Sequence, residues 1–213
     1  INYSNQSKTI LDNSFNLNIS SNMLSAMSDL FISLSGTELK ADQVNLYDFS
    51  GYVLEAGIST IVKKTDGSKD EWIEVARELE GKKILTPPYC TREYTKTATY
   101  DQWFISLYRS FNNQYKRGVG VIETAKQCKS VFKSIITYKK KNHEDAASIY
   151  VFDSNGDLIY PYDISQEYQA ALQPYYELTK GDDSALTFIS PLTGKTEYAA
   201  EAVSSYTGYT YLT

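Results

Sequence analysis

The sequence predicts an α+β protein: two tandem modules, each an antiparallel sheet with flanking helices, joined along one long N-terminal helix. Three observations predict it. One strand–turn–strand pattern is written twice, since Val44–Leu54 (VNLYDFSGYVL) aligns without gaps on Ile149–Ile159 (IYVFDSNGDLI), 105 residues further on. Apolar residues recur every seven positions near the N-terminus. A chain of 213 residues has room for two domains of about 100 residues each. The expected organisation is a long helix over 1–35, a first module over 36–125, a connecting helix over 126–145 and a second module over 146–213.

In the N-terminal segment Tyr3, Ile10, Leu17, Leu24 and Phe31 fall seven apart, with Met27 and Leu34 at the companion positions of the second half and Gln6, Asn13 and Ser20 at those of the first. Such a helix would be roughly 50 Å long, enough to run beside both modules. Gly36 is positioned to stop it. The first hairpin covers about 43–56. Residues 57–68, with Lys63, Lys64, Asp66 and Gly67, read as a loop. Asp70–Glu80 reads as a short amphipathic helix with Trp72, Ile73, Ala76 and Leu79 on one face and Gly81 at its end.

Pro87-Pro88 forces extended backbone before Tyr89. Trp103–Phe111 alternates as a strand, with Trp103, Ile105 and Leu107 on one face and Phe104, Ser106 and Tyr108 on the other. Asn112-Asn113 is a turn, Gly118–Thr124 a strand, and Cys128, Val131, Phe132, Ile135 and Ile136 mark the connecting helix. The second module opens on the repeated hairpin. A helix follows over Ser165–Thr179 despite Pro174, closed by Gly181-Asp182-Asp183. Three strands then follow: Leu186–Ser190, Thr196–Val203 and Tyr209–Leu212, joined by turns at Pro191–Gly194 and Ser204–Gly208. The first module has the longer connection over its sheet, so a ligand pocket is expected there.

Composition narrows the function. The net charge is −5, which argues against a nucleic-acid partner. Lys139-Lys140-Lys141 reads as a solvated helix end. Aromatic residues make up 14% of the chain, 19 of them Tyr, which suits sheets and wet binding clefts. The two cysteines, Cys90 and Cys128, read as buried thiols, or as one bridge if the module is extracellular. The sequence contains no run of about 20 apolar residues, so none of it is expected to span a membrane. The chain begins at Ile1, which reads as an excised fragment.

Catalytic patterns are weak. His143 is the single histidine and lies in a lysine-rich helix end, a poor candidate for a triad. Asp153–Asp157 resembles the start of a calcium loop but has Leu158 where Gly and Ile164 where Glu are required, so a turn is expected. No cofactor or metal site is expected. The candidate ligand site is instead a cluster in the first module: Trp72, Tyr89, Arg92, Trp103, Tyr108, Arg109 and Glu123. Rings supply area and the charges supply orientation. Arg109 continues the face of Trp103 and Leu107, where a charge requires a ligand or a partner such as Glu123 on a neighbouring strand. The two tryptophans also fit plain core packing.

The order of these elements, with Gly118-Val119-Gly120-Val121-Ile122-Glu123 and Ile149-Tyr150-Val151-Phe152-Asp153-Ser154-Asn155-Gly156 as its strongest pieces, resembles the extracytoplasmic double Cache sensor domain of YesM-type membrane histidine kinases. The likeness covers nearly the whole chain. It implies two PAS-like domains with the ligand in the membrane-distal one, transmembrane helices on both sides in the native protein, a homodimer and a cytoplasmic kinase. Amino-acid-binding members carry Arg-x-Trp-Tyr-x-x-Ala, then Tyr-x-Asp, then a strand-end Asp. Trp72, Ala76 and Tyr89 match, and Glu123 replaces the last Asp. Asp70 stands for the Arg, Ile73 for the second aromatic and Thr91 for the other Asp. The resemblance therefore implies a sugar-like or other polar metabolite rather than an α-amino acid, because Asp70 would repel the carboxylate that an Arg holds.

The expectation is an extracellular sensing domain of a membrane-anchored signalling receptor, not itself an enzyme. A ligand-free adhesion or partner-binding module is the reading favoured if the distal cleft is filled by its own side chains, and two further alternatives stand beside it. One is the same domain on a chemoreceptor or a diguanylate cyclase. The other is an extracellular hydrolase using paired carboxylates such as Asp182 and Asp183 or Glu71 and Glu123.

Overall fold

The computed structural model describes residues 41–56, 61–67, 69–91, 102–112, 118–142, 147–178 and 185–213. The expected N-terminal helix, Gly36, Arg92, Asn113, His143 and the Gly181–Asp183 stop lie outside them. The chain divides into two compact units, one ending at Gln127 and one running Cys128–Thr213.

In the first unit the described strands are β1 (Gln43–Asp48), β2 (Tyr52–Ala56), β3 (Ile61–Lys64), β4 (Lys83–Leu85), β5 (Tyr89–Thr91), β6 (Gln102–Asn112) and β7 (Gly118–Gln127), with helix α1 (Asp70–Glu78) between β3 and β4. They form one antiparallel sheet in the order β3-β2-β1-β7-β6-β4, with β5 also on the outer edge of β6. Three strands exceed the expectation, among them β5, which pairs Tyr89–Thr91 with β6 where only extended backbone before Tyr89 was expected. Ile61–Lys64 pairs with β2 inside the segment read as a loop, because β-branched Ile61 and Val62 favour extended backbone even in a lysine-rich stretch. Lys83–Leu85 pairs with β6 and carries the chain from α1 back to the sheet.

Every residue of β1 is buried, so both faces of the sheet are covered at its centre. Val44 and Leu46 pack with Leu54 and Val119 on one face. Tyr47, Val53, Tyr108 and Val121 receive Ile73 and Ala76 of α1 on the other. Helix α1 keeps the predicted face and ends where Glu80 and Gly81 both take positive φ, 48° and 89°. Gly120 is required for a different reason. A methyl group there would lie 2.6 Å from the Tyr47 carbonyl oxygen and 2.7 Å from the Phe111 ring.

The second unit has α2 (Cys128–Val131), α3 (Lys133–Asn142), β8 (Tyr150–Phe152), β9 (Leu158–Tyr160), α4 (Gln166–Leu178), β10 (Ala185–Ile189), β11 (Thr196–Val203) and β12 (Thr210–Leu212). The expected connecting helix is thus two short helices, begun after β7 has run on to Gln127. Hydrogen bonds from Phe132 to Cys128 and from Ile136 to Phe132 carry the run across the junction. Its described sheet has the order β10-β11-β12-β8-β9. The first unit contains the matching series β4-β6-β7-β1-β2, so each unit places its opening hairpin next to its last strand. Helix α4 covers this sheet with Leu172 and Tyr175, packed against Phe152, Leu158 and Leu212. The Ser165 hydroxyl accepts from the Tyr168 amide at its start.

The hairpin repeat is exact in its chemistry. The Asp48 carboxylate accepts from the Ser50 and Tyr52 amides at 2.8 and 2.9 Å. The Asp153 carboxylate accepts from the Asn155 and Asp157 amides at the same two distances. Gly51 and Gly156 follow with φ of 87° and 91°. Asp153 therefore holds a turn, as expected. Cys128 is buried but Cys90 is exposed, which corrects the reading of two buried thiols, and the two are not bridged. Strand alternation on β5 turns Cys90 away from Glu123's face, with Cys90 opposite Trp103.

Candidate functional site

The centre of the first unit's sheet carries a buried carboxylate. Register places Asn45 and Tyr108 directly opposite Glu123, on β1 and β6. Side chains two apart on a strand share a face, so Gln43, Asn45 and Tyr47 of β1, Ser106 and Tyr108 of β6 and Glu123 of β7 converge there. Glu123 has no solvent exposure. Its Oε2 accepts from the Tyr47 hydroxyl at 2.6 Å and from Asn45 Nδ2 at 2.8 Å. Its Oε1 accepts from the Ser106 hydroxyl at 2.6 Å. Gln43 Nε2 holds the Asn45 amide oxygen at 2.8 Å, which turns the Asn45 amide hydrogens toward Glu123.

The order of protons on the other side follows from valence. Ser106 has one hydroxyl proton and spends it on Glu123, so in the 2.6 Å contact between Tyr89 and Ser106 the Tyr89 phenol is the donor. The Ser106 amide is anchored on Thr86 Oγ1 at 3.0 Å. Tyr89, Ser106 and Glu123 thus form a chain, with the Tyr89 phenol also 3.4 Å from Glu123 Oε1, and the 2.6 Å Ser106 bond has a length typical of a hydrogen bond to an ionised acceptor.

Lys69 completes the arrangement. Its ammonium lies 3.1 Å from Oε2 and 3.4 Å from Oε1 of Glu123, and the side chain is 15% exposed. Lys69 occupies the N-cap position of α1 and makes no side-chain capping bond. A cation at a helix N-terminus faces the positive end of the dipole. That local cost is offset by the buried carboxylate beneath it. Burial penalises the charge on Glu123, yet Lys69 and the donors from Ser106, Tyr47 and Asn45 outweigh it and hold the carboxyl below its usual range. Burial first, then the Glu123 charge, pushes the Tyr47 phenol far up, so it remains a neutral donor.

An aromatic stack borders this polar centre. The Trp72 ring from α1 stacks on Tyr108 with centroids 6.3 Å apart, and Tyr108 on Tyr47 at 6.4 Å. Of the residues expected at the site, Trp72, Tyr89, Tyr108 and Glu123 are brought together. Trp103 is on the opposite face of β6, as alternation requires. Arg109 shares that face, is exposed, and donates from Nε to the Gly81 carbonyl at 2.6 Å, so it closes the turn after α1 and does not pair with Glu123. Arg92 lies outside the described residues. Gln43, Asn45, Tyr47, Lys69 and Ser106 were not anticipated. The available signal was the alternation of polar Gln43, Asn45 and Tyr47 with Val44 and Leu46 in a strand that is buried on both faces.

Glu71 is exposed at the first turn of α1 and so is not part of the Glu123 cluster. Among the described residues no group of His, Cys, Asp and Glu side chains is arranged to hold a metal ion, and no helix is long and apolar enough to cross a membrane.

No protein-family model matches the sequence, and no curated protein matches it significantly. Solved structures do match in fold. The sensory domain of the Campylobacter jejuni chemoreceptor Tlp3 superposes with a TM-score of 0.60 at 15% identity, over 98% of this chain and 83% of that one. The extracellular domain of rpHK1S-Z16, described as a histidine kinase, gives 0.59 at 16% identity over 99% and 85%. The ligand-binding domain of Mlp24 with asparagine gives 0.58 at 15% over 98% and 79%. The chain therefore has the α+β fold of these receptor sensory domains.

Proposed function

We propose that this chain is the extracellular ligand-sensing domain of a transmembrane signalling receptor and that the Glu123 centre of the first unit is where a small polar molecule is read. One observation carries the reading. A carboxylate with no solvent exposure is kept ionised by a lysine and three neutral donors, beside a stack of three aromatic rings. Structural cores rarely bury charge in this way, because desolvation costs several kcal/mol per ion. Binding sites do so, because a prearranged polar group orients a ligand.

The ligand class follows from the charge count. Lys69 already neutralises Glu123, so the centre carries no excess charge. An uncharged polyhydroxyl compound fits this best. The α-amino acid is the second reading, favoured by the asparagine in Mlp24, and would require the ligand's ammonium to displace Lys69 from Glu123. A two-component histidine kinase is the receptor class proposed, with a chemoreceptor as the alternative.

The mechanism proposed is a population shift. A ligand that prefers one arrangement of α1 over the sheet changes the balance between two states, and its differential affinity limits the response. Thermal denaturation against a panel of sugars, amino acids and organic acids tests the reading, since a ligand of the folded state raises the melting temperature. A sugar-specific rise that Glu123→Gln abolishes supports it. No rise with any compound overturns direct sensing at this centre. Receptor class is read from the sequence downstream of this domain in the native gene.

A further inference from the structure

The second unit holds a cavity of about 290 Å³, lined by Ser148, Tyr150, Tyr175, Phe188, Glu197 and Leu212 among others. It is independent of the Glu123 centre and is close to the lower end of the roughly 300–1,000 Å³ typical of ligand sites. It has room for about ten water-sized groups of about 30 Å³ each.

Four of its lining residues are aromatic: Tyr150, Tyr175, Phe188 and Tyr198. The Tyr150 and Tyr175 rings meet at 47° with centroids 5.1 Å apart, and Tyr175 meets Phe188 edge-on at 5.6 Å. Rings inclined to one another form a concave surface. Their hydroxyls are engaged elsewhere: Tyr175 bonds to Ser190 Oγ at 2.7 Å, and Tyr150 bonds to Ser148 and Tyr168. Burial pushes the Tyr150 phenol up to about 12, so this wall carries no phenolate charge near neutral pH.

One charged side chain stands against this wall. Glu197 lies directly opposite Phe188 in the β10–β11 register. Its described bond is from the Thr193 hydroxyl at 2.9 Å, and no described Lys or Arg pairs with it. The cavity therefore combines aromatic rings with a carboxylate that has no cationic partner among the described residues. Both features attract a cation with an apolar surface, the rings through their quadrupoles and the carboxylate through its charge.

We propose that this cavity is a second ligand site, selective for small organic ammonium ions. Choline is the probe, and 3,3-dimethylbutan-1-ol, which has the same shape without the charge, is its control. Binding is followed by amide chemical-shift mapping on the whole chain. The expected result is saturable choline binding, with shifts at Ser148, Tyr150, Phe188 and Glu197 and at least tenfold weaker binding of the neutral alcohol. Glu197→Gln should weaken choline by tenfold or more while its melting temperature stays within the error of the wild type. Glu123→Gln should leave choline binding unchanged, which separates this site from the one proposed in the first unit. Absence of saturation, equal affinity for the alcohol, or shifts confined to the first unit each overturn the proposal. Should Glu197→Gln alter folding, Thr193→Val, which frees the carboxylate of its hydroxyl donor without removing charge, must retain choline binding, and its loss also counts against the site.

Discussion

The Lys69 ammonium lies 3.1 Å from Glu123 Oε2, joining the N-cap residue of α1 to the centre of the sheet beneath it. This contact links helix position to the charge state of the buried site. Removing one partner of such a pair leaves the other charge uncompensated in a poor solvent.

Lys69→Met is expected to lower stability by about 3 kcal/mol. Glu123→Gln should also destabilise, by about 2 kcal/mol, since it loses a charged acceptor but keeps a hydrogen-bonding amide. The double variant should recover at least about 1 kcal/mol relative to the sum of the two. Urea unfolding of the four proteins measures this, and strictly additive losses would show that the two side chains do not act as a pair.

The pH dependence has a defined sign. Glu123 is held below its ordinary value of 4.5, so its contribution is full above that value and is lost as the pH falls through the lower folded value. Melting temperature should fall more steeply in the wild type than in Glu123→Gln on acidification below about pH 4.5. Tyr47 acts at the opposite end. Its folded value is raised, so its contribution is full below its ordinary value of 10.0 and declines as the pH rises beyond it. Tyr47→Phe should therefore flatten the alkaline limb. Parallel acid profiles for wild type and Glu123→Gln would contradict the ionised assignment.

Gly120→Ala should cost about 1–3 kcal/mol, because the added methyl meets backbone and a packed ring, neither of which yields easily. The neighbouring Gly118 has only ordinary contacts, at 3.7 Å or more, and Gly118→Ala serves as the control. Equal melting temperatures for the two variants would remove the close-approach argument.

Tyr209 is 6% exposed and its hydroxyl has no hydrogen-bond partner among the described residues. Tyr209→Phe keeps the ring and deletes the orphaned group, so the variant should be more stable by about 1 kcal/mol. Chemical denaturation decides it. A loss of stability would mean that the hydroxyl is satisfied in solution.

Local chemistry was legible where neighbouring residues supply all of it. The two hairpins, α1, α4, β6, β11 and the two last turns follow from alternation, helical spacing and turn residues that act within a few positions of one another. Asp48 and Asp153 show why: each holds amides two and four residues ahead, so the turn is specified by five consecutive residues. Missed elements have weak local signals. β3 hides among lysines, and three-residue β4 is stabilised by its pairing with β6 rather than by its own composition.

The sequence by itself determined the duplicated hairpin, the aromatic character and the presence of a carboxylate at Glu123. Only the tertiary structure decided what surrounds that carboxylate. Asn45, Tyr47, Lys69, Tyr89 and Ser106 come from β1, the start of α1, β5 and β6, up to 78 residues away in the chain. Strand register selects which of them share a face, and a shift of one residue would replace the whole polar set with the apolar one. The same rule separated Trp103 and Arg109 from Tyr108. Composition named the residue types a site requires, and long-range pairing chose which of them meet.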